Sequence, residues 1–569
     1  MFRLFRRLRS VAGLVLPVAI VATLVSCSSP ERITLTMIAG SELDDVVGSP
    51  PHGDQPFLSR MREETGVTLQ VDKFTGSLSG AETLTAGAAY DLAWFASEAY
   101  LRVLAAGEPS ISAKPEPIMW SPVVLGVKQS VAKDYNWVNR AVSWREVAEK
   151  VTPDGRGFTF AMTDPAASNS GLAALVEAAV AMRGGGSAEL SEADIQGAVT
   201  PLGGLFRGVG LTAGSSGWLS DQYFQGQSNF DGLVNYESEI LALNERPGIQ
   251  PLQIIHPSDG VVRANYPLML LSRDDERKQG AYERLITWLR GEWAQRRLAE
   301  HTRRHRLKET PGGSPQIAVP SDKRRLDQLL LSYQDRIRKP PRAIYAVDKS
   351  ASMNDSLTPG SQITKLDKLK EVFKELASDQ SATAARFRRL RSRERITILP
   401  FSGPVRGQIG RADDLRELRP ASEQTISEGE AGTADRYRLS GYVEELRAGG
   451  ATALFDALYE AYVRLDRELE AATLEDYITK WYPTIVLLTD GVQYLGIKRL
   501  RFEELWQQTR SRDAVRVFAV HIGPEKVADR CGKPGEPELC RIATLTGGRV
   551  FDTSNADLLE VIREIRGYQ

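Results

Sequence analysis

Residues 343–352 read Ala-Ile-Tyr-Ala-Val-Asp-Lys-Ser-Ala-Ser, and residues 484–491 read Thr-Ile-Val-Leu-Leu-Thr-Asp-Gly. In each, an apolar run stops at an aspartate followed by small polar residues. Short apolar runs of this kind are strands buried on both faces, as a parallel sheet requires. Ile396–Phe401 and Val515–Val520 are two more. Between them lie helical patterns, one with Leu454, Leu458, Ala461, Leu465 and Leu469 spaced 4, 3, 4 and 4 apart. Strand alternating with helix predicts an α/β unit beginning near residue 342, with the carboxyl ends of its strands on one edge. Residues 403–438 are polar and contain glycine, which predicts a long surface insertion.

That edge collects oxygen donors. The first strand delivers Asp348, Ser350 and Ser352, and the second delivers Asp490. Gly449-Gly450-Ala451-Thr452 opens a helix between them and adds Thr452. Two carboxylates and three hydroxyls, with no His or Cys, suit a hard cation such as Mg²⁺, with Mn²⁺ or Ca²⁺ as substitutes. Taken singly, each is equally a helix cap or a turn former. As a set they resemble the metal-ion-dependent adhesion site (MIDAS) of the von Willebrand factor A family: Asp-x-Ser-x-Ser, then a distant Thr, then a distant Asp. Gly449–Leu458, Leu487–Gly491 and Ile542–Gly548 are similar to the same family. The resemblance implies a Rossmann-like sheet between helices over 342–569. It also implies metal held by Ser350, Ser352 and Thr452, with Asp348 and Asp490 acting partly through water. The last ligand would be an acidic residue of a protein partner. Lys349, beside the site, would soften metal affinity or reach that partner.

Residues 33–318 also alternate strands and helices. Ile33-Thr34-Leu35-Thr36-Met37 alternates with period two and runs into Ala39-Gly40-Ser41. Ser168-Asn169-Ser170-Gly171 precedes the helical run Leu172–Val176, and Ser41 and Ser77 open other helices. Free N–H groups at helix starts, joined by hydroxyls, bind anions without a cation; such residues are equally plain N-caps. With Ser121–Val127, Gly214–Gly217 and Asn235–Ser238, these stretches resemble two-lobed (type II) extracellular solute-binding proteins. The resemblance implies a periplasmic-binding-protein-like fold with a cleft lined by Ser41, Ser77, Ser121, Ser168, Ser170 and Tyr236. The expected ligand is a small solute, an anion among the candidates. Ser121–Lys128 would carry the chain between lobes and the stretch around Asp259-Gly260 would return it.

The amino end carries Arg3, Arg6, Arg7 and Arg9 and no acid before an apolar run from Val11 to Val25. That is the pattern of an export signal; a short anchor or buried helix is the alternative. Leu24-Val25-Ser26-Cys27 resembles the bacterial lipobox, which implies a lipoprotein signal peptide over 1–26, lipid on Cys27 and a linker over 27–32. Acyl chains would then hold the protein to the extracytoplasmic side of the cell membrane. Residues 301–320 form a domain edge. Leu326, Leu329, Leu330, Tyr333 and Ile337 make one apolar stripe, so 319–341 is read as a packed helical connector. Cys531 and Cys540 flank a polar loop and suit a disulfide outside the cytosol, with a metal pair as the alternative.

The chain has 569 residues, 72 Lys and Arg, 73 Asp and Glu, and a net charge of −1. That length implies several cores, and near-neutral charge gives no footprint for nucleic acid. His301 and His305 stand one helical turn apart but among arginines, without the His-Glu-x-x-His pattern. No nucleophile elbow is present, so no enzyme is expected. The reading is a cell-surface lipoprotein that binds a solute in its first domain and a protein partner through Mg²⁺ in its second. The alternative is the receptor of an ABC-type uptake system with the second domain as docking module. A surface hydrolase stands third.

Overall fold

The computed structural model describes residues 31–106, 115–152, 157–271, 275–309, 313–378, 389–403, 422–470, 472–491, 493–554 and 558–567. The signal segment and Cys27 lie outside them. Among the described residues no helix is long and apolar enough to cross a membrane.

Three sheets organise the chain. The first runs Val67–Thr75, Ile33–Gly40, Leu92–Trp94, Pro267–Leu270, Glu116–Pro117. Its first three strands are parallel, and Pro267–Leu270 joins antiparallel. The second sheet is built on Met119–Lys128, which pairs with Gly232–Tyr236 and, beyond it, with Phe160–Thr163 and Val209–Ala213. These sheets form two lobes. Met119–Lys128 carries the chain from the first to the second. The return runs through the stretch around Asp259-Gly260, where Arg263–Ala264 pairs antiparallel with Pro122 and Ser121. The two crossings hydrogen-bond to each other, so the hinge is a ribbon rather than two loose strands.

The third sheet runs Ser422–Thr425, Arg395–Phe401, Pro341–Asp348, Tyr482–Thr489, Arg516–His521, Arg549–Asp552. All neighbours are parallel except Ser422–Thr425, which is an antiparallel edge. Pro341–Asp348 and Tyr482–Thr489 are buried along their whole length, as strands covered by helices on both faces must be. Residues 404–421 of the expected insertion over 403–438 lie outside the described residues; farther on, Gly429–Glu444 is helical and buries Leu439 and Val443. Its apolar residues are too sparse for a stripe to show in the sequence. Cys531 and Cys540 are joined, with S–S 2.07 Å.

The connector is the helix Lys323–Ser332 continued by a wide π-type turn, Tyr333–Ile337. Its stripe of Leu326, Leu329, Leu330, Tyr333 and Ile337 is buried against the second lobe. Tyr333 meets Phe206 edge-on at 5.5 Å between ring centroids. One apolar cluster is shared between the second lobe and the third sheet, including Leu211 and Leu219 with Phe518 and Phe551. The Tyr482 hydroxyl accepts from the Thr212 N–H at 2.9 Å.

A buried ion network fixes this arrangement. Glu394 accepts from Arg338 of the connector at 2.6 Å and from Arg566 of the helix Leu558–Arg566 at 2.8 Å. All three side chains are less than a tenth exposed. Removing one partner leaves a charge stranded in low dielectric. Glu394→Ala is therefore expected to cost about 3–5 kcal/mol in urea unfolding. Arg60→Ala, which breaks an exposed pair with Glu64, should cost less than about 1 kcal/mol.

Candidate functional site

Three helix starts meet between the lobes. Ser77–Thr85 comes from the first lobe, Asn169–Arg183 and Ser216–Gly226 from the second. Each follows a strand that ends at the cleft. The lobes touch there: the Ser79 N–H donates to the Ala167 carbonyl at 3.0 Å. Gly76 is the contact that side chains would prevent. A Cβ on it would stand 2.4 Å from the Ala167 carbonyl oxygen and 2.5 Å from that of Gly214.

The expected residues converge unequally. The Ser170 and Ser216 hydroxyls are 2.8 Å apart, Ser168 lies 3.3 Å from Ser216, and Thr163 lies 2.8 Å from Ser170. Tyr236 accepts from the Asn169 amide at 3.2 Å. Ser41 accepts from the Gly217 N–H at 3.1 Å and so ties lobe to lobe. Ser77 is spent on the Ala96 N–H at 3.3 Å, within its own lobe. Ser121 takes the Ser238 N–H at 3.1 Å, a hinge contact rather than a cleft-lining one. Ser216 and Asn169 complete the hydroxyl and amide cluster. Their stretches are visible in the sequence, but their pairing across the lobe is not.

Charged groups stand beside the hydroxyl cluster. Glu42, 5% exposed, follows directly on Ser41, and its Oε1 is buried without a hydrogen-bond partner. Its charge bears on the buried hydroxyl of Tyr236. The fully buried Arg304 joins Asp45 of the first lobe at 2.7 Å to Glu239 of the second at 3.7 Å. Its guanidinium lies 4.9 Å from the Tyr266 ring centroid. Burial pushes Glu42 and Glu239 up to about 7, against the opposing pull of Arg304. Three carboxyl groups share one guanidinium here, and the region becomes acidic as Glu42 and Glu239 lose their protons.

The second constellation lies at the carboxyl edge of the third sheet. The Ser350 and Ser352 hydroxyls are 3.1 Å apart, and Ser352 donates to Asp490 Oδ1 at 2.9 Å. Neighbouring ligands of one octahedral Mg²⁺ at about 2.1 Å would stand about 3 Å apart, so the three oxygens fit a shared hard cation. Asp348 is fully buried, with one oxygen taking the Ser350 N–H at 2.7 Å and the other the Thr489 hydroxyl at 2.7 Å. It positions the loop more than it faces an ion. Thr452 is on a loop fixed to the first by Ala351 N–H to Gly450 carbonyl at 2.9 Å and Gly449 N–H to Lys349 carbonyl at 2.8 Å.

Two lysines change the expected picture. Lys349 turns to the Ser402 hydroxyl at 3.0 Å. Lys365, which sequence reading passed over, reaches Asp490 Oδ2 at 2.7 Å and the Ser352 carbonyl at 3.4 Å. Its ammonium neutralises part of the charge that a cation would use. The histidine pair is not a metal site: the His305 ring stacks on Trp120 at 4.0 Å and bonds Glu237 at 2.9 Å. Among the described residues no cluster of three His, Cys, Asp or Glu could hold a metal.

With this geometry in hand, the comparisons are specific about the first half. Residues 55–302 match the family described as bacterial extracellular solute-binding protein. The lobes are solute-binding-protein-like. Solved structures are similar over about half of the chain. The periplasmic binding protein AfuA from Actinobacillus pleuropneumoniae, with fructose-6-phosphate bound, is 13% identical over 54% of this chain and 99% of that one, TM-score 0.38. The periplasmic thiamin binding protein is 12% identical over 54% and 98%, TM-score 0.40. The substrate binding protein of an ABC transporter from Agrobacterium tumefaciens is 13% identical over 54% and 95%, TM-score 0.39. No curated protein matches the chain.

Lys365→Met should raise Mg²⁺ affinity about tenfold in isothermal titration, because a like charge leaves the ion's side. Unchanged or weaker binding would show that the lysine does not compete. The acids give a pH dependence. Glu42 and Glu239 hold protons in the folded state up to about 7, whereas in the unfolded chain they lose them near 4.5. Stability from this source is complete below about pH 4.5 and is lost as pH rises through about 7. The fall in melting temperature between pH 5 and 8 should be shallower in Glu42→Gln than in the parent.

Proposed function

We propose that the chain is an extracytoplasmic solute receptor of the kind that serves ABC-type uptake. The observation that carries this is the meeting of three helix starts and a hydroxyl–amide cluster between two hinged lobes, in a region that matches extracellular solute-binding proteins. Surface adhesion was the leading expectation from sequence; the family match favours the receptor reading. The cleft's chemistry favours a small polar solute with hydrogen-bond donors or a positive charge, which Glu42 and the serine hydroxyls would meet. A strongly anionic solute fits it less well.

The second unit is proposed as a von Willebrand factor A domain that docks a protein partner. Ser350, Ser352, Thr452 and Asp490 would hold Mg²⁺, which supplies an electrophilic position for a partner carboxylate. Anchorage through lipid on Cys27 belongs to the same proposal. So does the absence of catalysis, since both sites are arranged to bind.

The two units are mechanically joined. Glu560, on the helix Leu558–Arg566, takes hydrogen bonds from Lys73 and Thr83 of the first lobe. The next residue, Gly567, lies against Ala167 and Gly214 of the second lobe, with room for a Cβ only at 3.1 Å and 3.3 Å from their carbons. One helix thus holds both lobes at their line of closure.

A thermal-shift screen with polyamines, amino acids, sugars and inorganic oxyanions tests the receptor reading. A hit should vanish in a Ser170→Ala/Asn169→Ala variant. No stabilisation by any class would favour a scaffold role. Glu560→Ala should shift the lobes about fivefold toward an open form, the equivalent of about 1 kcal/mol for a part-buried pair. Small-angle scattering would report this as a larger radius of gyration; an unchanged profile would mean that the lobes close without the helix. Retention of a membrane partner on the bait protein should require Mg²⁺ and be lost in Asp490→Ala.

A further inference from the structure

A groove of about 970 Å³ lies where the second lobe, the connector and the third sheet meet. None of the expected solute-site or metal-site residues lines it. Its walls are the end of the helix Glu192–Phe206, the turn Arg336–Pro340, Arg393, Thr425–Glu428 and Thr479–Trp481.

The groove is lined by positive charge from separate elements. Arg336 and Lys339 come from the connector, Arg393 from the start of the third sheet, and Lys480 from the end of the helix Leu474–Lys480. Among the described residues none of these four makes an ion pair. Lys339 Nζ reaches only a carbonyl, that of Ile478 at 3.2 Å. Arg393 donates to the Arg338 carbonyl at 3.0 Å, while its Nε is buried with no partner. Glu428 is the one acid on the wall. Burial lowers Lys339 to about 8, and burial with the charge of Arg338 lowers Arg393. Asp335, Glu394 and Glu428 oppose this at Arg393, but cations outnumber acids on the wall, so they raise one another's energy and a multivalent anion would relieve it. Trp481, Ile337 and Pro340 add apolar wall, which weakens solvent screening of such an anion.

We propose that this groove is a binding site for a compact anion carrying two or more negative charges, a small polyphosphate or polycarboxylate. Bound there, the anion would bridge the second lobe, the connector and the third sheet, so it would stiffen the junction between the two units. The inference does not depend on the solute or on the metal.

The test is isothermal titration of the full chain with inorganic pyrophosphate and, separately, citrate. Binding of either is expected, weakening about tenfold as salt rises from about 0.05 to about 0.5 M. Which of the two binds tells phosphate from carboxylate chemistry. Arg336 and Lys480 are exposed, so Arg336→Gln/Lys480→Gln should fold normally and lose at least about tenfold in affinity. Ser170→Ala, in the interlobe cleft, should leave it unchanged. No heat from either anion at low salt, equal affinity in the double variant, or loss of binding in Ser170→Ala would each overturn the proposal.

Discussion

One buried carboxylate sets the geometry of the whole molecule. Glu394 opens the second strand of the third sheet and accepts from Arg338 on the connector and Arg566 on the final described helix. Burial alone would raise its pKa, but the two guanidiniums more than reverse this and hold it low. Such a centre adds little net stability over an apolar substitute, because desolvation offsets the attraction. Its effect is on specificity. Each arginine has one place where its charge is answered, so the connector and the final helix have one arrangement on the sheet. The apolar cluster shared with the second lobe then forms in register. The closure helix, the groove and the oxygen cluster take their positions from that.

The same device recurs in the first unit. Arg304 gathers Asp45 and Glu239 from opposite lobes, as Glu394 gathers two arginines from separate elements. The signs are reversed and so is the consequence. Around Glu394 the cations exceed the acid, and the excess extends into the neighbouring basic groove. Around Arg304 the acids exceed the cation, and Glu42 and Glu239 sit near 7 where modest changes in pH alter their charge. The two units are thus joined rigidly while their internal surfaces carry opposite electrostatic character.

What the sequence revealed was what local pattern encodes. Strands buried on both faces are continuous apolar runs, so four of the six strands of the third sheet were legible, and so was the connector stripe. Ser350, Ser352 and Asp490 could be placed together because strand ends of a parallel sheet share an edge. The short edge strands Ser422–Thr425 and Arg549–Asp552 were not legible, being too short or too polar. Nor was Lys365, which reaches Asp490 from 125 residues away along the chain. Glu42 reads as an ordinary helix-start acid until the second lobe covers it. Helix starts are visible locally, but the charge facing them is a property of the assembled cleft. The hinge contact of Ser121 likewise shows only once the two crossings pair.

The link between Glu560 and Lys73 spans 487 residues. Ribosomes make the amino end first, so both lobes emerge long before the helix that holds them. A nascent first unit therefore exists for a time as lobes free to hinge, with Ala167 and Gly214 not yet met by Gly567. Only when the later helix docks does the cleft acquire its final constraint. Synthesis itself thus gives the protein a history of two mechanical states, loose and then braced.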